Sequence, residues 1–151
     1  MQIKIYTIEK SSDNNLDSAI KEFVKMISRF ASVEEIKIFN KNIAQAQSIG
    51  EKEARASYTK AYEPFLKGYN VALDVQGESL SSEQFSTIFN QDITVNFFIG
   101  GAFGFEEAFL GRTQKIISLS RLTYAHKIAK VVLFEQIYRG LCIKNNHPYH
   151  K

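Results

Sequence analysis

The sequence predicts an α/β protein in which a mostly parallel sheet carries helices on both faces. Two observations point there. Short β-rich runs alternate with stretches of helical periodicity along the whole chain, the pattern of consecutive βαβ units. One of those runs, Val95-Asn96-Phe97-Phe98-Ile99, is almost continuously apolar, as expected of a strand buried on both faces. At 151 residues the chain is long enough for a substantial core. It reads as one domain over 1–151, with no internal repeat, low-complexity segment or linker.

Residues 2–8 alternate, with Ile3, Ile5 and Thr7 on one face and Lys4 and Tyr6 on the other, and read as a first strand. Ser11-Ser12-Asp13 offers caps for a helix whose apolar positions are Leu16, Ile20, Phe23, Val24, Ile27 and Phe30. Ile36 and Ile38 alternate with charged residues in a second strand over 34–39. Residues 40–67 have helical propensity but weak amphipathicity; Gly50 should interrupt them and Gly68 should close them. A third strand is expected over 69–74, ending in a turn at Gln76-Gly77. Ser81 with Gln84 three residues on is a capping-box signal for a short helix over 81–90. The fourth strand spans 93–99 and the fifth 115–119, with a short helix over 105–110 between them. A last helix over 124–144 has apolar residues at Ile128, Val131, Val132, Leu133, Phe134, Ile137, Tyr138 and Leu141. That is more than one stripe, so over half its circumference should be buried.

Composition excludes some classes and leaves others open. A net charge of +3 and a sequence pI near 8.9 permit an anionic partner without requiring one. A single cysteine, Cys142, allows no internal disulfide and fits a reducing compartment. The N-terminal residues lack the features of a secretion signal. No apolar run approaches the roughly 18–20 residues of a membrane span. The expectation is a cytoplasmic protein without membrane partners.

The chemistry should lie in the last third. Gly100-Gly101-Ala102-Phe103-Gly104 follows a strand and precedes a helix. Glycines there let a ligand meet backbone N–H groups, or simply form a tight turn. The spacing is neither the dinucleotide fingerprint nor a P-loop. The second run, 115–119, passes into Ser118, Ser120 and Thr123. Two strand ends bearing small and hydroxyl residues define a crevice at the carboxyl edge of the sheet, where ligands of α/β folds bind. His126 stands beside it, readable either as a base or donor or as a helix-entry residue bonded to backbone. Glu135 and Arg139 are four apart and read as an intrahelical ion pair. Tyr138, Arg139, Tyr149, His150 and Lys151 form an aromatic and basic group suited to stacking and phosphate contact, unless they are an ordinary solvated face. Lysines and Arg55 of the 41–67 segment extend it on the same terms. Cys142, His147 and His150 lack metal-ligand spacing, so no metal is expected. No nucleophile elbow is present.

Four segments carry a resemblance. Phe98-Ile99-Gly100-Gly101-x-x-Gly104, Ser118-Leu119-Ser120-x-Leu122-Thr123-x-x-His126, Glu135-Gln136-x-Tyr138-Arg139 and His147-Pro148-Tyr149-His150-Lys151 closely resemble the ribosomal RNA large-subunit methyltransferase H family, of the SPOUT class. Leu73-Asp74-x-x-Gly77 also fits, so the match spans the chain. The resemblance implies a C-terminal trefoil knot, an exception to ordinary connection rules. It also implies S-adenosylmethionine as methyl donor, a homodimer packed through the knot, and methylation of a pseudouridine at N3 in helix 69 of 23S rRNA within the assembled ribosome. Cofactor contacts carry over to Leu73, Gly100 and Leu119-Ser120-Arg121-Leu122-Thr123-Tyr124. His126, Arg139 and His150 are the candidates for substrate positioning or base, and Tyr149, His150 and Lys151 for RNA contact, with the tail serving the partner subunit's site.

Three departures from the family pattern stand out. Ala102-Phe103 stands where many relatives have Pro-Glu, Ala125 where a proline usually precedes the histidine, and Lys130 where an arginine is usual. An arginine's bidentate contact would be weakened by lysine. Other readings are a SPOUT methyltransferase on another RNA such as tRNA, or an RNA-binding or assembly factor on the same fold. The Pro-Tyr-His ending argues against the first, and the intact glycine and Ser-Leu-Ser segments against the second. A nucleotide-dependent oxidoreductase lacks its fingerprint.

Overall fold

The computed structural model describes residues 1–10, 15–91 and 94–151. Five strands form one sheet in the order β2-β1-β4-β3-β5, every neighbouring pair parallel. They are β1 (Gln2–Ile8), β2 (Ser32–Ile38), β3 (Tyr69–Ser79), β4 (Val95–Ile99) and β5 (Lys115–Ser118). The helices are α1 (Asp17–Ile27), α2 (Lys41–Ile49), α3 (Glu51–Tyr62), α4 (Ser82–Ser86), α5 (Glu107–Leu110) and α6 (His126–Lys144). Single 3-10 turns follow α3 and α4, at Glu63–Phe65 and Thr87–Asn90.

Strand alternation sends side chains to two separate cores. Ile3, Ile5, Val95, Phe97 and Ile99 meet Ile20 and Ile27 of α1, Phe85 of α4, and Leu133, Phe134 and Ile137 of α6. Tyr6, Ala72 and Phe98 face the other way, onto Ile43 of α2, Tyr58 and Tyr62 of α3, and Phe109 of α5. All five residues of β4 are buried, which is why that run needs no polar face. The second core is largely aromatic: Tyr6 stacks on Phe98 with ring centroids 5.0 Å apart, and Phe105 on Phe109 at the same 5.0 Å.

Element by element the expectations hold, most ends moving by one or two residues, and four shifts stand out. Gly50 does separate two helices, extended at φ 164°, but the second ends at Tyr62 and one 3-10 turn, short of 67. Ser81 and Gln84 form the capping box. The last helix begins at His126, two residues later than expected, because Ala125 is extended at φ −56° and ψ 144°. Ile128 on that helix is exposed and Val131 and Val132 are half-buried, while Leu133, Phe134, Ile137, Tyr138 and Leu141 are buried as expected. The caps expected at 11–13 and the strand start expected at 93 lie outside the described residues.

The fourth shift bears on the site. The third strand does not end in a turn at Gln76-Gly77. Leu73 and Glu78 both pair with Ile117 of β5, so residues 74–77 bulge outward and the strand then resumes to Ser79. Gly77 lies so close to β5 that a Cβ there would come within 2.6 Å of the Ile117 carbonyl carbon. Backbone cannot step aside as a side-chain tip can. Gly77→Ala is therefore expected to pry β3 from β5 and cost about 2–4 kcal/mol, in the range of severe single-site effects. Chemical denaturation of the variant measures that loss.

Candidate active site

Three connections at the carboxyl ends of neighbouring strands enclose a cavity of about 570 Å³, within the range of small-molecule sites. The β3 bulge brings Leu73, Asp74, Val75 and Gln76; the loop after β4 brings residues 99–105; the loop after β5 brings Ser118, Leu119, Ser120, Leu122, Thr123 and Tyr124. His126 and Ala129, from the start of α6, complete the wall together with Arg55 of α3. Of the residues singled out as cofactor contacts, Leu73, Gly100, Leu119, Ser120, Leu122, Thr123 and Tyr124 thus converge on one cavity. Arg121 lies on the same loop, exposed, and does not line it.

Local hydrogen bonds fix these loops. Gly101 and Gly104 form an antiparallel bridge, with the Gly104 N–H donating to the Gly101 carbonyl at 3.1 Å. Gly104 has φ +78°, a conformation that side chains disfavour. Arg55 Nε donates to the Phe103 carbonyl at 2.7 Å, and the buried Tyr62 hydroxyl donates to the Ile99 carbonyl at 2.6 Å. After β5, the Ser118 hydroxyl donates to the Ser120 carbonyl at 2.8 Å, while Ser120 Oγ accepts from the Leu122 N–H at 3.0 Å. On the bulge, Asp74 Oδ1 accepts from the Gln76 N–H at 2.9 Å. These short side-chain turns are the usual work of serine and aspartate in loops.

Behind the cavity lies a buried charge cluster. Lys130, one turn after His126 on the same helix face, is 1% exposed and holds Glu9 Oε1 at 2.5 Å and Glu35 Oε1 at 2.6 Å. His126 Nε2 lies 3.4 Å from Glu9 Oε2, near enough for an ion pair though not aligned as a hydrogen bond. Lys37 adds a contact to Glu9 at 3.6 Å. Burial pushes the Glu9 carboxyl upward, but the close-lying His126 and the hydrogen-bonded Lys130 outweigh it and bring the pKa down to about 2. A lowered carboxyl pKa contributes stability that is complete above the ordinary value of 4.5 and is lost as the pH falls toward 2. Screened by solvent, the shift contributes about 1–3 kcal/mol. Urea unfolding of wild type and Glu9→Ala through that window should show their stability difference shrinking as acid is added.

The C-terminal tail packs elsewhere. Arg139 donates to Glu135 Oε1 from Nε at 2.9 Å, the expected pair four residues apart. The Tyr149 hydroxyl donates to the same carboxylate oxygen at 3.1 Å, and the Arg139 guanidinium stacks on the Tyr149 ring at 4.8 Å. His150 sits between Arg139 Nη1 at 3.1 Å and Glu83 Oε1 at 3.0 Å. Arg139, Tyr149, His150 and Lys151 therefore do not line the cavity of their own subunit. A smaller hollow of about 260 Å³, bounded by Ser81, Ser82, Tyr124 and Gln136, lies on the other side of the 118–124 loop.

The model of the family described as a predicted SPOUT methyltransferase matches residues 1–150. Proteins named ribosomal RNA large subunit methyltransferase H, from Aliarcobacter butzleri (strain RM4018) and Campylobacter concisus (strain 13826), are 58% and 50% identical to this chain. Each alignment covers all of both chains. The chain belongs to the methyltransferase H family of SPOUT methyltransferases. A solved structure described as "a probable methylase family protein" from Haemophilus influenzae Rd KW20 superposes with a TM-score of 0.53 at 15% identity. It covers 97% of this chain and 67% of that one, a likeness of fold.

Within methyltransferase H, the three departures of this chain acquire physical meaning. Ala125 keeps φ at −56°, the angle a proline ring would impose, so the entry to α6 survives its loss. Phe103 packs against the aromatic core while its carbonyl receives Arg55. Lys130 faces two carboxylates inside the subunit, so the contact made there is internal and not with an external anion. Two elements of the site have no signature of their own in the sequence. Glu9 gives no local signal, because its partner lies 121 positions away. The bulge at 74–77 uses the same Gly-containing signal as a turn.

Proposed function

We propose that this protein transfers a methyl group from S-adenosylmethionine to N3 of a pseudouridine in helix 69 of 23S rRNA, acting as a cytoplasmic homodimer on the assembled ribosome. The carrying observation is full-length identity of up to 58% to proteins named for methylation of large-subunit ribosomal RNA. The chain acts as one domain over 1–151, its C-terminal part threaded as a trefoil knot. β4 between β1 and β3, with β5 beyond β3, is consistent with such a path.

The cavity suits the donor. Its size, the apolar flanks from Leu73 and Leu119, and the hydroxyls of Ser120 and Thr123 offer an uncharged cradle for an adenosine moiety, with the Asp74 carboxylate at the edge. The bound sulfonium supplies an already activated methyl group. The chain itself must hold the target base in line with it and relieve N3 of its proton. Leu73, Gly100, Leu119, Ser120, Leu122, Thr123 and Tyr124 bind the donor, and His126, facing the same cavity, meets the base. Arg139, Tyr149, His150 and Lys151 hold RNA, serving the cavity of the partner subunit. Val75 and Leu122 at the rim are 63% and 72% exposed, and Ile128 nearby 42%; an apolar rim of this kind favours cover by a second copy. Calorimetric titration with S-adenosylmethionine tests the donor site: one saturable site per subunit is expected.

A further inference from the structure

His126 opens α6 with its side chain 28% exposed, yet its Nε2 is shut off from solvent. That atom and Glu9 Oε2 are both buried, both lack an aligned hydrogen bond among the described residues, and lie 3.4 Å apart. Hydrogen bonds in active sites are often loose before substrate binds and tighten afterwards. Glu9 cannot drift away. Its backbone N–H donates to the Ile38 carbonyl at 3.1 Å, Lys130 holds its Oε1 at 2.5 Å, and Lys37 flanks it at 3.6 Å. An immobile carboxylate therefore faces one ring nitrogen of a histidine whose exposed part lies in the cavity wall.

We propose that Glu9 is a positioning residue for His126: it accepts a hydrogen bond from Nε2–H, fixes the neutral ring in that tautomer, and leaves Nδ1 as the acceptor presented to the target base. A carboxylate orienting an imidazole in this way selects the tautomer and steadies the imidazolium that forms on protonation. The proton balance is simple. The N3–H bond breaks toward Nδ1, N3 forms its bond to the methyl carbon, and the sulfur keeps the electron pair of the broken C–S bond. The positive charge that leaves the sulfur reappears on the imidazole, beside Glu9.

The identity of the base rests on the function proposed above, but the state of the ring can be read without it. In protein carrying ¹⁵N-histidine, at about pH 8.5 where an ordinary imidazole is neutral, long-range ¹H–¹⁵N spectra report the tautomer of His126. Wild type should show Nε2–H with an unprotonated Nδ1. Glu9→Ala should give a mixture of tautomers. Glu35→Ala, which strips Lys130 of its other carboxylate, should leave His126 as in wild type. On ribosomes, Glu9→Ala should lower turnover at least tenfold with KM unchanged, and Glu35→Ala should not. A wild-type ring protonated at Nδ1, or a Glu9→Ala spectrum identical to wild type, would overturn the proposal. If Glu9→Ala does not fold, the wild-type spectrum decides. An enzyme inactive on ribosomes whose His126 is nonetheless Nε2–H would count against the function and not against the pairing.

Discussion

The double variant Gly100→Val, Ser120→Arg is expected to lose saturable binding of S-adenosylmethionine while keeping its fold. A single Cβ at Gly100 would already stand 3.3 Å from Gly104 Cα and from the Phe105 ring. The two further methyl groups of valine need space that only the cavity or those neighbours can yield. At position 120 the substitution removes the oxygen that accepts from the Leu122 N–H and sets a long cation in the wall of a site meant for a sulfonium. Ser120 lies in a loop at the sheet edge, whereas Gly100 abuts Phe105 of the second core. Some stability should be lost on that account without unfolding the protein. A loss of affinity of at least 100-fold, about 2.7 kcal/mol, is the predicted result by calorimetry, with thermal unfolding as the check on folding. Binding that persists in this variant would put the donor elsewhere.

Lys130→Met should be the most destabilising of the charge changes. It leaves the carboxylates of Glu9 and Glu35, 10% and 16% exposed, facing each other across an apolar side chain. Removing one member of a buried ion pair typically costs about 3–5 kcal/mol because the partner charge stays buried, and Lys37, 3.6 Å from Glu9, offsets only part of it. For a chain of this size that is a fall in Tm on the order of 10 °C. The triple variant Lys130→Met, Glu9→Gln, Glu35→Gln removes the stranded charges and should recover a large part of the loss. Lys130→Met with wild-type stability would mean that the cluster contributes nothing to the fold.

Much of this architecture is legible in the amino-acid sequence. The unbroken apolar character of 95–99 marks a strand buried on both faces, and Ser81 with Gln84 marks a cap that forms as written. The glycine cluster and the Ser-Leu-Ser segment belong at one crevice because strand ends in parallel sheets share an edge, and they do line one cavity. Other features depend on contacts that no local pattern encodes. The signal at Gln76-Gly77 serves a turn and a bulge equally well, and only the pairing of Leu73 and Glu78 with the same Ile117 decides between them. Lys130 is legible only as a lysine where the family usually has an arginine, and nothing near it in sequence says that Glu9 and Glu35 lie beneath it. Glu135 and Arg139 read correctly as a pair, yet nothing in their spacing says that Tyr149 folds back onto the same carboxylate or that His150 bridges to Glu83.

The central claim meets its most direct test on ribosomes. Large-subunit-containing ribosomes from cells lacking the helix 69 methylation would be incubated with the protein and methyl-labelled S-adenosylmethionine. Nuclease digestion and mass spectrometry then locate the label. One methyl group per ribosome, at N3 of a pseudouridine in helix 69, absent with the Gly100→Val, Ser120→Arg variant, is the predicted result. Label at another nucleotide, label in tRNA in place of the ribosome, or no label while wild-type protein binds the donor would contradict it.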